Sequence, residues 1–175
     1  AYGDGDEWAW PVLQDAQRAF ADSTPDVGLI VTLPYSDAQF PLPHRRSVSE
    51  DAARHVLHDI HGEGGPTGGP SYLAMVIDGV DILLEFEGVG SGLASSDGGP
   101  LRHFTIADRY KGFFPAEVTI DSPNRLRVSS PHVTNPVAVR YAWDRAPASP
   151  NFSNSEGKFG GIFRTDDREL RPPSR

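Results

Sequence analysis

The chain has 175 residues, is 38% apolar and 23% charged, and carries a formal charge of -8, so it can bury a core but is not drawn to nucleic acid or to anionic membrane. It has no cysteine, which removes disulfides, thiolate metal ligands and a cysteine nucleophile, and no apolar run near the roughly 20 residues that cross a bilayer. Its 18 glycines and 16 prolines favour turns and short strands over long helices.

The first ten residues, AYGDGDEWAW, are polar and Gly-rich and begin abruptly, without an initiator Met. Helical spacing of Leu13, Ala16 or Gln17, and Phe20 predicts a helix over residues 10–21, with Pro11 suited to its first turn. Thr24, Pro25 and Asp26 break it. Residues 27–33 (VGLIVTL) form a nearly continuous apolar run, the pattern of a strand buried on both faces of a parallel sheet. A loop follows in which Pro34, Pro41 and Pro43 oppose regular structure. Ser47 with Glu50 three residues later reads as a capping box opening a second helix to about Ile60. Helix, strand, loop, helix is the last unit of an α/β layered fold.

Composition changes at Gly62. GEGGPTGGP predicts a linker over residues 62–69, and everything beyond it reads as β. Runs at 73–77 and 80–86 flank Asp78 and Gly79, a strong hairpin signal. Further strands are expected at 101–107, 115–121, 125–130 and 136–142, an antiparallel sandwich or jelly-roll-like module over residues 70–167. In the last strand Val137, Val139 and Tyr141 alternate with Ala138, Arg140 and Ala142, and after Trp143 the pattern stops. The irregular stretch that follows still carries Phe152, Phe159 and Phe163, so it is expected to lie packed on a surface. Residues 168–175 read as a loose tail.

The wording of residues 135–167, NPVAVRYAWDRAPASPNFSNSEGKFGGIFRTDD, resembles the C-terminal signature of the sialate O-acetylesterase-like carbohydrate esterases, in which an N-P-V-A-V-R-Y-A/G-W strand precedes an N-x-x-N-x-E-G loop and F-R-T-D. The likeness extends to Trp10-Pro-Val-Leu-Gln-Asp-Ala-Gln17, which is similar to a W-x-x-L-R-E-A-Q helix. It includes Gly28 to Thr32, similar to a G-x-x-V-T strand, and the Gly69-Pro70 and Val89-Gly-Ser-Gly-Leu93 turns. It implies that residues 1–61 end an α/β hydrolase domain of the SGNH type, with the β module packed on it, in an enzyme that hydrolyses acetyl esters of sugars. The sugar would be sialic acid or hemicellulose of the xylan type. The resemblance implies no cofactor. For the whole enzyme the expected location is secreted or periplasmic, with any signal peptide upstream of Ala1.

The resemblance places the catalytic histidine in the loop after the last strand, where this sequence has His44. A serine hydroxyl is a weak nucleophile until an imidazole takes its proton, and active sites of open α/β sheets lie at the strand ends. The family's Asp shortly before its His is missing, because Pro41, Leu42 and Pro43 stand there, and Asp37 is the nearest upstream carboxylate to orient the ring. Nothing matches the family's Gly-x-Ser-Asn block. The serine is therefore expected on an N-terminal portion outside this chain, which alone would be inactive. The rival expectation is a non-catalytic carbohydrate-binding or scaffolding β module with a degenerate hydrolase remnant.

Other motifs point to structure rather than chemistry. His55, His58 and His61 spread over roughly 120° of a helix, too wide for a compact metal site. The 88–92 Gly-rich turn lacks the lysine of a phosphate loop. Tyr141, Trp143, Phe152 and Phe159 could stack on sugar rings, although packing between the β module and the hydrolase domain is the favoured expectation. Asp97 and Arg140 are expected to be structural.

Overall fold

Two helices precede ten short strands in the computed structural model, which describes residues 9–33, 42–62 and 67–166. Helix α1 spans Ala9–Ser23, with Pro11 in its first turn, where a missing N–H costs no intrahelical bond. Its end is closed by Ser23, whose Oγ donates back to the carbonyl of Ala19 at 2.8 Å. The adjoining Asp26 has a left-handed φ of 61°.

Helix α2 spans Leu42–His61, five residues longer at its start than the capping box suggests. Ser47 is therefore an interior residue, and Glu50 accepts from the Arg46 guanidinium at 2.9 Å instead. Pro43 lies in the first turn of α2, which proline tolerates, so the proline-rich segment stops opposing helix at that point. The helix ends as expected: Gly62 takes a left-handed φ of 66° and donates to the His58 carbonyl at 2.9 Å, an αL cap.

Residues 27–32 are not in a strand. A strand exists only as part of a ladder, and the described residues supply this segment with no neighbour. Val31 and Leu33 are nonetheless held against the β core.

The β part consists of β1 (Ser71–Asp78), β2 (Asp81–Glu87), β3 (Leu93–Ser95), β4 (Phe104–Asp108), β5 (Gly112–Pro115), β6 (Glu117–Ser122), β7 (Arg125–Ser129), β8 (Pro136–Tyr141), β9 (Phe152–Asn154) and β10 (Phe163–Arg164). They form two four-stranded antiparallel sheets, β1-β2-β7-β6 and β10-β8-β4-β5, and a small pair, β3-β9. The hairpin sits at the expected place. Its two loop residues are Gly79 and Val80, and only Gly79 has positive φ, at 65°, the arrangement of a type II′ turn.

Two strand expectations need correction, and three short strands were not expected. The strand expected at 101–107 starts only at Phe104, because His103 adopts a φ of 65° that breaks extended structure. The strand expected at 115–121 is two strands: β5 pairs with β4 in one sheet and β6 with β7 in the other, the chain crossing between sheets at Pro115 and Ala116. Strands β3, β9 and β10 have three, three and two residues, too few for periodicity to show.

The inner faces of both large sheets share one core. Ile82, Leu84, Leu126 and Val128 come from one sheet, and Phe104, Ile106, Val139 and Tyr141 from the other. Phe152 and Phe163, from the irregular C-terminal stretch, complete it. Phe152 is fully buried and lies edge-on to Phe86 and Phe104, at ring-centroid distances of 5.0 and 5.6 Å. Such contacts add to the burial of the rings themselves. Replacing Phe152 with Ala should therefore lower unfolding free energy by about 3–5 kcal/mol, read from the shift of a denaturant midpoint. A change below about 1 kcal/mol would remove this loop from the core.

Candidate active site

The residue expected to do acid–base chemistry, His44, is the third residue of α2. It sits on the first turn of a helix rather than in an open loop, immediately after the stretch that links α2 to the apolar segment. Asp37 falls in 34–41, outside the described residues.

From its second turn onward α2 borders a cavity of about 210 Å³. Across it lie Leu29, Ile30 and Val31, the 67–69 turn, and Gly157, Lys158 and Phe159 of the C-terminal loop. The walls are polar. Lys158 Nζ donates to the Asp51 carboxylate, and the Arg54 guanidinium stands 3.6 Å from the same carboxylate. Asp51 thus draws a cation from each side, one of them 107 residues away in sequence. His55 shares a 3.0 Å hydrogen bond with the Thr67 hydroxyl. His58 and His61 are exposed, and among the described residues no group of three or more His, Cys, Asp or Glu could hold a metal ion.

The C-terminal loop that supplies Lys158 is itself fixed by buried amides. Asn151 is fully buried, and its Nδ2 donates at 2.9 Å to Ser95 Oγ, Asp97 Oδ1 and the Pro100 carbonyl, while its Oδ1 accepts from the Arg102 N–H at 3.0 Å. Asn154 donates to the Gly88 carbonyl at 3.1 Å and accepts from the Lys158 N–H at 2.8 Å. Glu156 accepts from the Ser91 N–H at 2.9 Å and from its hydroxyl. A side chain at Gly90 would overlap the Glu156 carboxylate, and one at Gly69 would overlap the Phe159 carbonyl. The Gly-rich turns are therefore seats for this loop.

Aromatic residues of the same region have no free face for a sugar where they are fully buried, as Tyr141 and Phe152 are. Their packing is within the β core rather than across to the helices. Trp143 is half-buried, with the guanidinium carbons of Arg140 and Arg164 5.0 and 5.6 Å from its ring. Arg140 also makes a bidentate pair with Asp166, both contacts at 2.8 Å, and Arg164 reaches Asp15 of α1 at 2.8 Å. The structural expectation for Arg140 and Asp97 holds. The residues that bridge helices to sheets are ionic: Lys158 to α2 and Arg164 to α1. Neither pairing is marked in the sequence, since each joins segments more than 100 positions apart.

No protein-family model matches the sequence, and no curated protein matches it. The fold, however, matches the crystal structure of a carbohydrate acetylesterase from Xanthomonas citri with a TM-score of 0.85 and 30% sequence identity over 94% of this chain. The chain shares its fold with part of a carbohydrate acetylesterase. It spans 38% of that protein.

Two measurements test this geometry. Lys158→Ala and Asp51→Asn should each destabilise the chain and be non-additive in a double-mutant cycle, with a coupling of about 1 kcal/mol for a half-buried pair. Additive effects would mean the contact contributes nothing. Asp97, Asp108 and Glu156 are held below the usual carboxylate range, by the Asn151 amide and Arg102, by the Tyr110 N–H, and by Ser91 respectively. Depressed folded-state values give stability that is fully present above the unfolded value near 4 and is lost as pH falls through the folded ones. Stability should therefore be flat from about pH 7 to 5 and decline below about 4, and Asn151→Ala should reduce that decline.

Proposed function

We propose that this chain is the C-terminal part of a carbohydrate O-acetylesterase of the SGNH type, working through a serine on a portion of the protein outside it. The likeness to the Xanthomonas citri acetylesterase, at 30% identity over 94% of this chain, carries the reading. His44 supports it by position, in the first turn of α2, the helix that follows the apolar segment in sequence.

In this reading the serine hydroxyl attacks the acetyl carbonyl carbon as the His44 imidazole accepts its proton. The tetrahedral adduct then collapses, the bond to the sugar oxygen breaks, and the imidazolium returns the proton to that oxygen. Water repeats the sequence on the acetyl-serine, with His44 as base, and releases acetate. Asp37 is proposed to orient and charge-stabilise the imidazolium. The substrate is an acetylated sugar, of the sialic acid or the hemicellulose and xylan type. The β module, residues 70–167, is proposed to buttress the α2 turn that carries His44, which the Lys158 contact to Asp51 supports. A secreted or periplasmic location is proposed with it, since polymeric and cell-surface sugars are met there.

Acetate release from acetylated sugars by the complete protein tests the assignment. His44→Ala should lower turnover by about 10⁴-fold or more, and Asp37→Asn by a similar order if it orients the ring. Unchanged turnover in the His44 variant would leave a non-catalytic sugar-binding module as the alternative.

A further inference from the structure

The outer edge of a β-sheet offers unpaired N–H and C=O groups to any other strand, and proteins blunt such edges with brevity, proline, charge or a bulge. Among the described residues, the two large sheets end on β1, β6, β5 and β10. β10 has two residues, and β5 has four and ends on Pro115. β6 carries Glu117 and Asp121, and its register shifts between Ile120 and Ser122. β1 is the exception. It has eight residues, and after a register shift between Tyr72 and Ala74 its pairing with β2 is regular to Asp78. Its one charged residue, Asp78, already accepts from Arg127 Nη1 at 2.9 Å. Leu73, Val76, Ile77 and Val80, all on this strand or its turn, are 58%, 58%, 49% and 55% exposed. A contiguous exposed apolar patch marks an interaction surface.

The hairpin fixes which peptide groups face outward. A two-residue turn closes on a hydrogen-bonded pair, here Asp78 with Asp81, and hydrogen-bonded and open pairs then alternate along the ladder. Ala74, Val76 and Asp78 therefore direct their N–H and C=O groups to β2. Met75 and Ile77 turn theirs to the side where no described strand lies. Side chains alternate too. Met75 and Ile77 stand opposite Leu84 and Ile82 on the core face, and Val76 stands opposite Leu83 on the outer face.

We propose that β1 is a self-association edge, at which two copies of the chain pair β1 antiparallel to β1 across a two-fold axis at Val76. Such a contact sets residue i against residue j and j against i. Met75 of each copy then faces Ile77 of the other, and each of these pairs exchanges both N–H···O bonds. Both side chains of the pair are apolar and extend the rim of the core. On the outer face Val76 meets Val76, and Ala74 meets the Asp78 that Arg127 neutralises, so no like charges stand opposite. An axis at Met75 would draw the register shift at Leu73 into the ladder, and an axis at Ile77 would pair Met75 with the turn residue Gly79. A neutral, self-complementary edge suits an identical partner better than a charged one. The charge of -8 on each copy makes this a contact that salt strengthens, by screening the repulsion between copies. The association is independent of any catalytic role for His44.

Sedimentation equilibrium of the 175-residue chain, from about 1 µM to about 1 mM, tests this. One strand pair with its apolar flank is a small interface, so a reversible dimer with a dissociation constant on the order of 10–100 µM is expected, tighter at high salt. The Met75 and Ile77 amides should exchange more slowly as the dimer fills, and the Val76 amide, bonded to β2, should not change. Val76→Lys and Val76→Glu should each be monomeric with an unchanged Tm, since the side chain is 58% exposed. An equimolar mixture of the two should dimerise again, because the axis brings the new ammonium against the new carboxylate. A wild-type chain that stays monomeric to about 1 mM would overturn the proposal. So would a dimer that survives Val76→Lys, a mixture that stays monomeric, or Met75 and Ile77 amides already protected in the monomer, which would mean that another segment covers the edge.

Discussion

Asn151 is fully buried, yet its side chain carries two N–H donors and a carbonyl that must be satisfied where no water reaches. The surroundings meet that demand from three points of the 95–102 turn and from the Arg102 N–H. Losing a partner would leave a buried polar group unpaired, at a cost of about 1–3 kcal/mol. The position of residues 151–154 is thereby tied to a turn some fifty positions earlier. Asn154 repeats the arrangement with Gly88 and Lys158. Once both amides are placed, Phe152 between them has one way to enter the core.

The consequence reaches the helices. A loop fixed by its own buried amides can hold out Lys158 and Arg164 as preset cations, and these meet Asp51 of α2 and Asp15 of α1. Apolar packing adds Val31 and Leu33 against the shared core. The contact between helices and sheets is therefore a mixture of a small apolar patch and two half-buried ion pairs. This leaves Trp10, Leu13 and Phe20 of α1 exposed. It also ties the helix whose first turn holds His44 to a β scaffold whose strands make no direct contribution to the proposed chemistry.

Much of the β part was legible in the sequence because its signals are local. Gly79 marks the hairpin, Gly62 ends α2, and alternation in residues 82–86 and 126–128 identifies the side chains that face the core. The signals that misled were local as well. Ser47 and Glu50 have capping-box spacing, but the helix already runs through them from Leu42, since prolines at a helix start do not stop it. Residues 27–33 have a strand's composition and no partner to pair with among the described residues. His103 and Pro115 redirect strands through backbone geometry that composition does not reveal. The interactions that fix the candidate site, from Asn151 to Asp97 and from Lys158 to Asp51, join residues 54 and 107 positions apart. A single sequence shows only that such polar residues exist in a stretch too aromatic to be idle, not where they meet their partners.

If the 151–166 loop joins the helices and both sheets as described, they must melt together. Differential scanning calorimetry of the chain, with helical circular dichroism followed over the same temperatures, tests this most directly. A single transition with a calorimetric to van't Hoff enthalpy ratio of about 1, in which helical signal is lost with the β core, is the predicted result. A separate low-temperature loss of helix, with the sheets melting later, would contradict it.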